Sequence, residues 1–178
     1  SFKSTAELKD AASICLELSP QGDCPDGPHG TIAEWDVSRV AYMTGVFVDA
    51  TSFNGDLSKW DVSRVKDMSS MFERATSFNG NVSKWDVSNV IGMSRMFMRA
   101  TFFHGDISKW DVSRVTNMDH MFRQATSFKQ RLCRAFWVKS KADKFGMFTG
   151  SAGTICTATF DSKISLKRTI AACVGSFS

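Results

Sequence analysis

Between residues 35 and 134 the apolar positions of this chain recur on a 25-residue step. Trp35, Trp60, Trp85 and Trp110 each open a WDVS, and each WDVS leads into a segment that alternates apolar and polar groups in the same order. In the second copy, WDVSRVKDMSSMFERATSFNGNVSK, Val65, Met68, Met71, Phe72 and Ala75 fall at helical spacing, whereas Lys66, Asp67, Ser70, Glu73 and Arg74 fall off that stripe. The spacing predicts a short amphipathic helix. Ser63 stands just before it, in one column with Ser38, Ser88 and Ser113, where a hydroxyl can cap the first turn. Phe78 and the turn pair Asn79-Gly80 follow. The next stretch, VSKWDV, puts Val82 on one face and Ser83, Trp85 and Val87 on the other, the pattern of a short strand.

A unit this short cannot bury its apolar face alone, so the copies must pack on one another. Strand, helix, strand at this step predicts an α/β repeat: a right-handed, leucine-rich-repeat-like solenoid of short strand plus short helix units. Its core ladders are then Trp35, Trp60, Trp85 and Trp110, with Phe47, Phe72, Phe97 and Phe122. The acids beside the indoles, Asp36, Asp61, Asp86 and Asp111, are expected to tie down backbone amides at the corners.

Both ends depart from the pattern. Residues 1–34 read as an N-terminal cap: Ser4 and Glu7 fit a capping box, and Leu8, Ala11, Ala12, Cys15 and Leu16 share a helix face before the loop SPQGDCPDGPHG. Residues 35–134 hold the four repeats. Residues 135–159 read as a degenerate C-terminal cap, in which Met147-Phe148 echoes the repeat. In residues 160–178, FDSKISLKRTIAACV matches FKSTAELKDAASICL at Phe160, Ser162, Leu166, Lys167 and Cys173. That segment is therefore expected to be the opening helix of a following tandem copy, and neighbouring copies are the expected partners, head to tail.

The unit F-N-G-D-L-S-K-W-D-V-S-x-V-x-x-M-S-x-M-F-x-x-A resembles the repeat of the BspA-like family of leucine-rich-repeat-related surface proteins, closely over residues 35–134. The resemblance implies a solenoid fold and a role in surface interaction or adhesion. It brings no catalytic residues.

Composition narrows the reading further. The five cysteines, at 15, 24, 133, 156 and 173, lie toward the two ends of the chain and form no CxxC, which argues against zinc and thioredoxin-like chemistry. Cys15 with Cys24 and Cys133 with Cys156 are expected to staple the two caps, implying an extracellular, cell-surface or lumenal setting; buried or free thiols are the alternative. Residues 1–34 carry a net −4, residues 35–128 a net +1 and residues 129–178 a net +7. The basic end lacks any zinc-finger, basic-helix or RRM-type motif, so nucleic acid is not an expected partner. No apolar run approaches a membrane span. His29, His104 and His120 stand in no hydrolase or metalloprotease spacing, and the glycines of the NG turns open no phosphate loop. No catalytic residue, metal or cofactor is expected. Candidate binding positions are the basic row Lys59, Lys84, Lys109 and Arg134, and the apolar pair Ile91 and Met98, which sit in columns free to vary between copies. The reading is a non-enzymatic structural or adhesive module of a tandem array, with a possible surface or matrix ligand; the alternative is a scaffold subunit docking on a larger complex.

Overall fold

A computed structural model describes residues 1–157. Helix α1, Thr5–Leu18, begins where Ser4 Oγ accepts from the Glu7 amide at 3.2 Å and the Glu7 carboxylate accepts from the Lys3 amide at 2.7 Å. Its buried face is Leu8, Ala11, Ala12 and Cys15. The helix is tied to the first repeat by Thr5 Oγ1, which donates to the Tyr42 carbonyl at 2.6 Å, and by the Phe2 amide, which donates to Asp36 at 3.0 Å.

The expected α/β solenoid of strand-plus-helix units, leucine-rich-repeat-like, is overturned. Among the described residues the fold is mostly turn and loop. The repeats contain no α-helix, and their pairing is limited to single-residue parallel bridges, Tyr42 to Asp67 to Gly92 to Asn117 to Asp143. Regular strands are confined to β1, Arg131–Leu132, and β2, Thr154–Ile155, which pair in parallel. The other regular pieces are a 3-10 turn at Ile32–Glu34 and a four-residue helix, α2, at Ala135–Val138.

Backbone hydrogen bonding explains the difference. An α-helix over residues 65–75 would send each amide to the carbonyl four residues back. Instead the amides of Met68, Ser70, Phe72 and Arg74 donate to Gly92, Ser94, Met96 and Met98 in the next copy, at 2.8–2.9 Å. The amides between them, Met71, Glu73 and Ala75, close local turns onto Met68, Ser70 and Phe72 at 3.1 Å. Every fourth residue is left-handed: Ser70 (φ 56°) and Arg74 (φ 60°), repeated at Arg95 and Arg99 and at His120 and Gln124. Four-residue turns return an apolar side chain to the core at steps of three and four, so their sequence pattern is that of a helix. The winning arrangement gives half the amides to a neighbour, whereas an isolated helix of about 11 residues is marginal in water.

The left-handed column carries a test. Gly45 and Gly146 occupy it at φ 63° and 60°, whereas Arg95 holds it at φ 56°. A side chain there costs about 1–2 kcal/mol, offset in part by glycine's greater freedom when unfolded. Arg95→Gly is expected to raise stability by about 0.5–1 kcal/mol in urea denaturation; a loss of that size would contradict the assigned conformation.

Aromatic ladders fill the interior. Phe47, Phe72, Phe97 and Phe122 are wholly buried and stack ring on ring at 5.5–5.6 Å. A second column that the sequence pattern did not mark as core, Phe53, Phe78, Phe103 and Phe128, is buried as deeply and lies 3.9–4.1 Å from the first. Trp60, Trp85 and Trp110 donate their indole N–H groups to Ile32, Leu57 and Val82 at 2.9–3.1 Å, which satisfies the one polar atom each carries inside. Trp137 in α2 does the same to Ile107 at 3.3 Å, and Phe148 stacks on Phe122 at 5.7 Å, so residues beyond 134 continue the core.

Candidate functional site

The motif Asp-x-Ser recurs three times across the junction of the first and second copies, at Asp56-Leu57-Ser58, Asp61-Val62-Ser63 and Asp67-Met68-Ser69. In each, the carboxylate Oδ1 accepts from the serine amide two residues on, at 2.9, 3.0 and 2.7 Å. Asp36, Asp86 and Asp111 repeat the turn at 3.0–3.1 Å, as does the neutral Asn81 onto Ser83 at 3.1 Å. These carboxylates serve the corners of the frame. Ser63 is the donor of such a turn and caps no helix, which follows from the absence of the helix itself.

Hydrogen bonds from the serine hydroxyl and amide hold Asp36 and Asp61 below the ordinary carboxylate range, and those from the serine amide and hydroxyl do so at Asp56 and Asp106. A carboxylate lowered in the folded state adds stability that is complete above its unfolded value, about 3.9, and is lost as pH falls through the lower folded value. Urea midpoints are therefore expected to fall as pH is taken below about 4. Asp56→Asn combined with Asp106→Asn keeps the turn acceptor, as Asn81 does, and should flatten that fall; an unchanged acid profile would remove these groups from its cause.

The basic row is divided. Lys59 pairs with Glu34, and Lys109 and Arg134 act on Asp106, which lowers that carboxyl further. Lys84 is exposed and forms no ion pair among the described residues. Ile91 is exposed and Met98 half-buried. The hydroxyls of Thr76 and Thr101 turn back onto the carbonyls of Thr51 and Thr76 at 2.9 and 3.3 Å. Cys15 and Cys24 are bonded with their Cα atoms 5.5 Å apart, and Cys133 and Cys156 with theirs 4.7 Å apart.

Two concavities differ in sign. At the N-terminal end a cavity of about 470 Å³ gathers Glu7, Asp10, Glu34 and Asp36 around Phe2 and His29, whose rings lie 5.1 Å apart. On the side of the repeats a groove of about 480 Å³ is lined by Arg39, Arg64, Lys66, Asn89, Ile91 and Arg114, with no carboxylate in its wall. Bonds between copies fix its floor: the amides of Lys66, Ile91 and Thr116 donate to the carbonyls of Ala41, Lys66 and Ile91 at 2.7–2.9 Å. Asn89 Nδ2 donates to the Ser63 carbonyl at 2.9 Å and its Oδ1 accepts from Arg114 at 2.8 Å, which braces the row. Sequence reasoning passed over this groove. Its signal was the arginine after WDVS, present in three copies of four, but the near-neutral total over residues 35–128 averaged a one-sided arrangement away.

Residues 160–178, read from the sequence as the start of a further copy, lie outside the described residues. Among the described residues no helix is long and apolar enough to cross a membrane. No curated protein and no solved structure matches the chain. Residues 26–137, well over half of the chain, match the family described as "Mycoplasma protein of unknown function, DUF285", and the chain belongs to that family.

Proposed function

We propose that this protein is a non-enzymatic structural or adhesive module, BspA-like within its family, working outside the cytoplasm or in a lumen. The observation that carries the proposal is the division of labour between repeated and variable positions. Residues identical from copy to copy go into buried aromatic ladders and Asp-x-Ser turns. The columns outside the ladders change freely: Ala41, Lys66, Ile91 and Thr116 in one, Gly45, Ser70, Arg95 and His120 in another, none of them buried. A rigid frame with varied outer columns suits contact with macromolecules over a broad surface. Two disulfides at the ends fit an oxidising compartment, and the acidic end, Glu7, Asp10, Glu34 and Asp36, offers a face for a neighbouring copy's basic end.

The test has two parts. Cysteines 15, 24, 133 and 156 should resist a thiol-reactive label in the producing cells without reductant, and beads coated with the purified chain should adhere to extracellular matrix or to a second sample of the chain. Free thiols in the cell together with inert beads would end this reading. The alternative, a scaffold subunit docking on a larger complex, draws on the exposed rings of Phe102 and Phe145, 65% and 71% accessible. Stoichiometric co-purification with one complex would select it.

A further inference from the structure

We propose that the groove lined by Arg39, Arg64, Lys66, Asn89, Ile91 and Arg114 binds a linear polysaccharide carrying anionic groups along its length, an inference that rests on the surface-module reading. Four cations converge there, and none forms an ion pair among the described residues. Asp36 and Asp61 act on Arg39 and Arg64 through space, while their Oδ1 atoms accept from Ser38 and Ser63. The guanidinium groups of Arg39 and Arg64 keep planar donor forks suited to bidentate bonds with sulfate or carboxylate, and Arg114, with one nitrogen on Asn89, keeps its remaining donors.

Arrangement decides the class of polymer. Successive copies stand one hydrogen-bonded neighbour apart, about 4.8 Å, so Arg39 and Arg64 are one step apart and Arg64 and Arg114 two. The intervening position is Asn89, a neutral amide, braced on the Ser63 carbonyl. Three guanidinium groups and one amide in four successive steps fit a chain that carries repeated anionic groups with hydroxyls among them. Ile91, 42% exposed, and Ala41 offer apolar contact for the C–H face of a sugar ring. Single-stranded nucleic acid calls for aromatic platforms on which bases stack, and no aromatic side chain lines the groove. A protein partner would be anchored by large side chains seated in closed pockets, whereas this groove is walled by four cations and an amide.

The experiment measures binding of the chain to a sulfated glycan, to a polyuronate and to single-stranded DNA at about 0.15 M salt, where distant surface charges are screened. The groove variant combines Arg39→Gln, Arg64→Gln and Arg114→Gln; a control of equal charge combines Lys9→Gln, Lys129→Gln and Lys139→Gln. All six positions are exposed, and urea midpoints confirm that both variants fold. The expected result is binding to at least one of the two glycans, weakened at least about tenfold in the groove variant by loss of charge-assisted bonds and changed less than about twofold in the control. Whichever glycan binds names the anion. No glycan binding by the unaltered chain, equal losses in both variants, or equally tight DNA binding overturns the proposal. If beads of the groove variant still adhere to matrix as the unaltered chain does, the groove assignment fails while the surface-module reading stands; if neither adheres, that reading fails with it.

Discussion

Phe97→Ala is expected to destabilise the protein by about 3–5 kcal/mol, because it opens a cavity where the neighbours can only partly relax. The Phe97 ring has no exposure and has five ring neighbours: Phe72 at 5.5 Å, Phe122 at 5.6 Å, Phe103 at 3.9 Å, the Trp110 indole at 6.4 Å and Phe78 at 6.5 Å. Phe72 and Phe78 belong to the preceding copy and Trp110 and Phe122 to the following one, so truncation loosens two junctions at once. Stacked aromatic pairs add about 0.5–1.5 kcal/mol beyond the area they bury, which places the result toward the upper end of the range. Lys84→Ala, at an exposed site, should shift stability by less than about 0.5 kcal/mol. Urea denaturation of the two variants decides it: a small, equal effect would mean that the ladder is not what holds the copies together.

The 25-residue step, the helix cap at Ser4 and the Trp and Phe ladders were legible because each rests on side-chain identity at fixed spacing, although Glu7 reaches the Lys3 amide and not that of Ser4. What misled was conformation. Met68, Met71, Phe72 and Ala75 lie at steps of three and one and three, which a helix and a run of four-residue turns share. Only the destination of the amides separates the two, and the amide of Phe72 goes to Met96, 24 residues away in the chain. A hint was present in the glycine at position 45 of a segment read as helix, in the same column as Ser70, Arg95 and His120. Likewise VSKWDV holds an alternation of apolar groups but is closed by turns at Ser83 and Ser88, each seated on an acceptor two residues earlier. The groove was hidden for another reason: Arg39, Arg64 and Arg114 look solvated one at a time, and only the stacking of columns 39, 64, 89 and 114 makes them one wall.

Opening the two disulfides is expected to loosen the ends of the molecule and spare its middle. Cys15 to Cys24 spans nine residues and Cys133 to Cys156 spans 23. By the chain-entropy relation those loops contribute about 2.5 and about 3.4 kcal/mol respectively, together comparable with the whole stability of many domains, about 5–15 kcal/mol. The placement concentrates the effect. The first bond fastens the end of α1 to the loop before the first repeat, and the second joins the residues that follow β1 and β2, so each secures one end of the described residues. Inner copies keep neighbours on both sides, with the amides of residues 68–74 and 93–99 held in the next copy. Cys133→Ser with Cys156→Ser should therefore raise amide exchange over residues 131–156 well before residues 60–99, and Cys15→Ser with Cys24→Ser should do so over residues 2–24. Exchange that rises uniformly along the chain would show the ends and the middle to open as one unit, and exchange that does not change would remove the disulfides from what holds the ends.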